Sequence, residues 1–197
     1  MFETVYQTDL EKEISVLEEE ITEKKKKLAE LRRQVAPVKF GDYTFTDTNG
    51  EQVKLSEMFG DKKELMLVHN MGKSCPYCTL WADEYNGIIH HLEDRVRFVV
   101  ISPDEYNAMR EFAEGRGWKF RIYSSKGNTF KKDIGFEDER GMVLPGVSVF
   151  TKDDEGNIWH TNKAVYGPGD DFCSLWHYFD LLPDGAGKWN PKFSYNS

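Results

Sequence analysis

Residues 64–102 read "ELMLVHNMGKSCPYCTLWADEYNGIIHHLEDRVRFVVIS", and the alternation of apolar and polar letters in this stretch decides the fold. The runs "ELMLVHN" and "VRFVVIS" are apolar without interruption, the pattern of strands buried on both faces of a parallel sheet. Between them, Trp81, Tyr85, Ile88 and Leu92 recur at helical spacing, which predicts a helix from about Pro76 to Leu92 with those four lining its buried face. The stretch is a β-α-β unit, for which a right-handed crossover is expected. Cys75-Pro76-Tyr77-Cys78 falls where the strand gives way to the helix, with Pro76 at the first helical position.

Outward from this unit, "YTFTDTNGEQVKL" alternates around an Asn-Gly turn and reads as a hairpin. After the second strand, Ser102 and Glu105 have the spacing of a capping box, with Pro103 in the first turn of a helix that ends near Gly115–Gly117. "FRIYSS" reads as a strand, "NTFKKDI" as a short helix, and "GVSVFTKDDEGNIWHTNKAVY" as a second hairpin. A last helix is expected from about Asp171 to Leu182, burying Phe172, Leu175, Trp176 and Phe179. The order β-α-β, α-β-α, β-β-α predicts an α/β sandwich with a mixed central sheet over residues 37–197.

Residues 1–36 differ from all of this, with no glycine and no proline. Leu10, Ile14, Leu17, Ile21, Leu28, Leu31 and Val35 recur in alternating steps of four and three, and Lys24 fills the one missing position. That is a heptad seam on a long helix ended by Pro37, supported by Glu20–Lys24 and Glu23–Lys27 pairs. Such a helix either packs back on its own domain or serves as an arm for a homodimer.

Composition excludes several classes of function. A chain of 197 residues that is 39% hydrophobic can build a core, and its net charge of −8 argues against nucleic acid as a partner. No apolar run approaches bilayer length, so no membrane partner is expected. The opening "MFETVYQTDLEKE" lacks the charged-then-apolar pattern of a signal peptide, which makes the cytoplasm the expected location. Three cysteines are too few for a disulfide scaffold, which turns attention to chemistry or metal binding at the Cys-x-x-Cys.

Three readings of that pair are open. It could be half of a zinc site completed by Cys173 and His177, two inert core thiols, or a redox pair. Against zinc, Cys173 and His177 lie one turn apart within a predicted amphipathic helix, and no metal or cofactor is expected. Against inert thiols, Cys75 faces the free N–H groups and positive end of a helix, which stabilise a thiolate. Cys75 is then the nucleophile, and Cys78, one turn on and more buried, the resolving thiol. Lys73 adds positive charge nearby. His90 and His91 read as cations at a helix end, His160 as a structural strand residue, and Cys173 as a free helix thiol.

The pair with its strand and helix, followed by "LPGVSVF" and a hairpin, resembles the thioredoxin fold, and "CPYC" is similar to the glutaredoxin active site. The first hairpin and the insert "ISPDEYNAMREFAEGRGWKF" resemble the peroxiredoxin branch. Nearest is the thioredoxin-like domain-of-unknown-function family of predicted dithiol-disulfide oxidoreductases, whose features run almost end to end: "LRRQVAPV", "CPYCTLWADEYNG", "VSVF", "WHT" and "FDLLPDG". The resemblance implies a thioredoxin-like three-layer sandwich. It implies that His69, six residues before Cys75, stands where thioredoxins carry a buried acid that serves the second thiol. It also implies that Pro145 is the cis-proline facing the cysteines, and that Trp81 and Asp83 match the family's helix. The expected function is a thiol–disulfide oxidoreductase acting on a disulfide-containing substrate or redox partner protein. A peroxiredoxin-like thiol peroxidase is the alternative, although Gly72 stands where peroxiredoxins place a threonine. A third reading is a non-catalytic assembly protein using the N-terminal helix.

Overall fold

The computed structural model describes residues 8–195. The chain divides into two units, one reaching to Ala36 and one beginning at Pro37.

The first unit is a single helix, α1 (Asp9–Gln34). Thr8 caps it in a reciprocal box: the Glu11 carboxylate accepts from the Thr8 N–H at 2.9 Å, and the Thr8 hydroxyl accepts from the Glu11 N–H at 3.3 Å. Acidic Asp9 and Glu11 lie in its first turn and Arg32 and Arg33 in its last, each complementing the helix dipole. Lys24 lies 3.8 Å from Glu20, as the spacing predicts, whereas Glu23 is engaged by Lys26 at 2.6 Å, one residue earlier than expected.

The second unit is built on an eight-stranded mixed sheet. Its strands are β1 (Val38–Phe40), β2 (Thr44–Thr46), β3 (Gln52–Lys54), β4 (Glu64–His69), β5 (Arg97–Ser102), β6 (Arg121–Ser124), β7 (Gly146–Lys152) and β8 (Ile158–Val165). They stand in the order β1-β8-β7-β4-β5-β6-β2-β3. The apolar runs of β4 and β5 pair in parallel, Leu65 opposite Arg97 through His69 opposite Ile101, and β6 continues the parallel block. β7 joins the other edge of β4 antiparallel, so β4 is central.

Alternation along the strands divides the interior in two. Val68, Phe98, Val100 and Val147 face a core closed by α3 (Pro76–Arg95), α4 (Tyr106–Arg116) and α6 (Ser174–Phe179). Leu65, Leu67, Val99, Ile101 and Phe150 face the other, closed by α2 (Leu55–Met58) and α5 (Phe130–Asp133). This is the expected three-layer α/β sandwich.

Three local expectations are corrected. Ile89 is the buried isoleucine of α3 and Ile88 is 42% exposed, because the buried stripe runs through Cys78, Trp81, Ala82 and Tyr85. Ser102 does not cap α4: it belongs to β5, and its hydroxyl donates to the Asp104 carboxylate at 2.8 Å, so the helix starts after Glu105. α6 is half the expected length, with Phe172 ahead of it and Cys173 at its cap; Trp176 is its one buried residue.

Candidate active site

Everything at the cysteine pair follows from the end of β4. Asn70, buried, continues the strand by donating its N–H to the Ile101 carbonyl at 2.9 Å. Its side-chain oxygen then accepts from the Gly72 N–H at 2.7 Å, which turns the chain. Gly72 makes that turn at φ +114°, a backbone that side chains rarely adopt. A Cβ there would also lie 3.3 Å from the Asp104 carboxylate. Asp104 accepts from the Lys73 N–H at 2.7 Å and so fixes the loop from the β5 side. Lys73 itself is exposed, held through its backbone.

Cys75 is the N-cap of α3, with extended backbone and Pro76 behind it. Its sulfur takes the capping position, accepting from the Cys78 N–H at 3.1 Å. Cys75 is half-buried and Cys78 is 3% exposed, its sulfur accepting from the Met71 N–H at 3.4 Å. The Cys75 thiol is lowered from 9.0 to about 6, first by a hydrogen bond from the Cys78 thiol, against burial, and then by the N–H groups of Cys78 and Tyr77. Cys78 is driven the opposite way: its S–H donates a hydrogen bond to the Cys75 sulfur, it is buried, and it sits beside the negative charge forming on Cys75. Two chemically identical thiols are thus split into a thiolate and a held proton.

Two groups outside the motif oppose the rise at Cys78, first the Met71 N–H and then a lysine that sequence reasoning missed. Lys131, on α5, is only 3% exposed, and its ammonium donates to the Asn70 carbonyl. Burial lowers it to about 8, while Cys78, Glu137 and Asp104 favour its charged form. No spacing rule connects residue 131 to residue 78, and nothing in the Phe-Lys-Lys-Asp of α5 sets Lys131 apart from Lys132.

His69, at the end of β4, lines the same small cavity as Cys78 and Pro145. The ring is fully buried, stacks on Phe136 at 3.8 Å between centroids, and meets Ser148 Oγ with Nε2 at 2.9 Å. Burial, then the charge of Lys131, holds it well below its ordinary value, so it is neutral. Its Nδ1 has no hydrogen-bond partner among the described residues. The ring stacks on Phe130 and Phe136, and the charged group that acts on Cys78 is Lys131.

Pro145 lines a small cavity together with Cys78, Trp81 and Tyr166. Its peptide bond is trans, since no described residue has a cis bond, which corrects the expectation carried by the thioredoxin resemblance. The segment is held by Leu144 N–H to the Phe136 carbonyl at 2.8 Å and Tyr166 N–H to the Pro145 carbonyl at 2.9 Å. Trp81 is core, and the Asp83 carboxylate is occupied by Arg116 and by the Trp118 indole N–H at 2.8 Å. The Tyr77 hydroxyl donates to Asn190 at 2.8 Å, which brings the C-terminal segment beside the motif.

Cys173 is fully buried, and burial followed by Glu84 raises it to about 12. His177 is exposed and lies 3.7 Å from Asp171. Among the described residues, no three His, Cys, Asp or Glu side chains gather in a metal-holding group. No helix among them is long and apolar enough to cross a membrane.

The fold is that of the thioredoxin-like proteins in their peroxiredoxin-like form. Peroxidoxin BcpB from Mycobacterium tuberculosis superposes with a TM-score of 0.52 at 21% identity, over 63% of this chain and 82% of that one. A peroxiredoxin-like protein from Aquifex aeolicus gives 0.51 at 16%, over 66% and 80%. A cysteine-to-serine mutant of PrxQ from Xylella fastidiosa gives 0.53 at 13%, over 66% and 84%. No curated protein matches the chain. Over residues 3–195 it matches the family described as "Bacterial protein of unknown function (DUF899)", and it belongs to that family.

Proposed function

We propose that the chain is a thiol–disulfide oxidoreductase acting in the cytoplasm, with Cys75 as nucleophile and Cys78 as resolving thiol. The Cys75 thiolate attacks one sulfur of a substrate disulfide, forming a mixed disulfide and expelling the other sulfur as a thiolate. Cys78 then loses its proton and attacks Cys75, which releases the second substrate thiolate and leaves a Cys75–Cys78 disulfide. The substrate gains two electrons and the pair loses two; the reverse sequence oxidises a dithiol. No cofactor is needed for either direction. The observation that carries this reading is the Cys75 sulfur in the capping position of α3, 3.1 Å from the Cys78 N–H.

Lys131 supplies what the second step requires. Cys78 is the thiol least ready to ionise, and a buried ammonium acting on it favours its thiolate as that forms. A peroxidase reading is less well supported, because Gly72, at φ +114°, occupies the position of the peroxiredoxin threonine with a backbone unsuited to a β-branched residue.

The test is a redox titration of the pair against glutathione, followed by incubation of Cys75→Ser and Cys78→Ser with oxidised glutathione. Cys78→Ser should accumulate a glutathione adduct and Cys75→Ser should not. Adducts forming equally fast on both would assign the nucleophile wrongly and remove the proposal.

A further inference from the structure

The helix α1 carries an apolar stripe that its own unit leaves uncovered. It has no buried residue, and Leu10, Ile14, Leu17, Ile21, Leu28, Leu31 and Val35 are each 43–72% exposed. Written as heptads, Leu10, Leu17, Lys24 and Leu31 are d positions and Ile14, Ile21, Leu28 and Val35 are a positions. The residues flanking the stripe change sign midway: Glu11, Glu13, Glu18 and Glu20 precede Lys25, Lys27 and Arg32.

That asymmetry identifies the occupant and its direction. We infer that α1 pairs with α1 of a second copy of this chain in antiparallel orientation, with Leu10 opposite Val35 of the second copy. In an antiparallel pair, a positions meet d positions, e meets e and g meets g. The register that sets Leu10 against Val35, the extended residue that follows the helix, also sets Ile14 against Leu31, Leu17 against Leu28 and Ile21 against Lys24, so the stripe is used along the length of the helix. The same register brings Glu11 to Arg32, Glu18 to Lys25 and Glu20 to Lys27, each twice by symmetry, and leaves Glu13 beside Gln34. No like charges meet along its flanks.

A parallel pair does worse on every charged contact but one. There g meets the next e, so Glu13 faces Glu18, Lys27 faces Arg32, and only Glu20 with Lys25 attracts. Lys24 would stack on Lys24 in a single core layer, whereas the antiparallel register gives each Lys24 an isoleucine and lets its ammonium reach out along its apolar stem. Ile at a and Leu at d suit a parallel dimer, but that preference is set against two repulsive flanks and a paired core lysine. The antiparallel arrangement leaves the two helix C-termini about 35 Å apart, from 23 residues at 1.5 Å each. The inference stands independently of the redox chemistry.

Sedimentation of the full chain under reducing conditions tests it, with circular dichroism to show that the helix persists in each variant. The wild type should be a dimer. Glu18→Lys with Glu20→Lys turns four attractive contacts of the antiparallel dimer repulsive and should raise the dissociation constant about tenfold or more. In a parallel dimer the same two changes turn the repulsion between Glu13 and position 18 into attraction as they lose the Glu20–Lys25 contacts, and should change little. Adding Lys25→Glu and Lys27→Glu should restore antiparallel pairing. A monomeric wild type overturns the inference, as does a double variant that dimerises as well as the wild type.

Discussion

The hydrogen bond from the Cys78 thiol is the first cause of the low Cys75 pKa, so replacing Cys78 by serine and by alanine should give different nucleophiles. Serine keeps an O–H donor on the same turn and should leave the midpoint of Cys75 reactivity near 6. Alanine removes it. A hydrogen bond to a charged group contributes about 1.5–3 kcal/mol, so the alanine midpoint should rise by about one to two pH units. Rate constants with a small disulfide separate this from an ordinary thiol only at the right pH. At pH 5, a thiol titrating at about 6 rather than 9.0 has about 900 times more thiolate. Its intrinsic nucleophilicity is lower by about 15–30-fold, since the rate falls with pKa at a slope of about 0.4–0.5. The net advantage is about 30–60-fold at pH 5, about 3–6-fold at pH 7, and reversed above about pH 7.5–8. The rate should therefore climb through pH 6 and flatten by pH 7, while Cys173, fully buried, stays silent. A midpoint of 8 or above in Cys78→Ser would refute the placement of Cys75 at the helix cap. Equal midpoints in the two variants would refute the thiol hydrogen bond as its cause.

Lys131→Met keeps the length of the side chain and removes its charge; the mixed disulfide formed by Cys75 should then persist about tenfold longer, while the first attack is unchanged. Quenched-flow mass spectrometry resolves the two steps, and a slowed first step with an unchanged second would assign Lys131 to the wrong thiol. Gly146→Ala sets a Cβ 2.3 Å from the Ala164 carbonyl and 2.4 Å from the Phe136 ring, which should destabilise the fold by about 1–3 kcal/mol. A lower urea midpoint at unchanged slope is the expected signature, and an unchanged midpoint would mean that β7 and β8 can part there at no cost.

What could be read from the sequence divides by the range of the interaction that fixes it. The strands β4 and β5 were legible because burial on both faces leaves no polar position to interrupt the run, and Cys75 because a proline at the first helical position marks the cap. The start of α4 was not, since Ser102 satisfies a capping pattern but is held in β5 by pairing with Ser124, 22 residues away. The site divides in the same way. The cysteines declare themselves locally, but the groups that hold the loop before them, Asn70 at the end of β4 and Asp104 after β5, and the cation that acts on Cys78, Lys131 on α5, come from distant parts of the chain. His69 shows why position alone misleads. Its register on β4 matches the place of the thioredoxin acid, yet the imidazole there stacks on Phe136 and Phe130 and is held neutral by burial and by the charge of Lys131. The buried lysine beside Asn70 has Cys78, Glu137 and Asp104 to answer its charge. In this chain, then, a buried cation adds to the Met71 N–H in favouring the Cys78 thiolate, throughout the range in which Lys131 is protonated, and loses that influence as the pH rises through about 8.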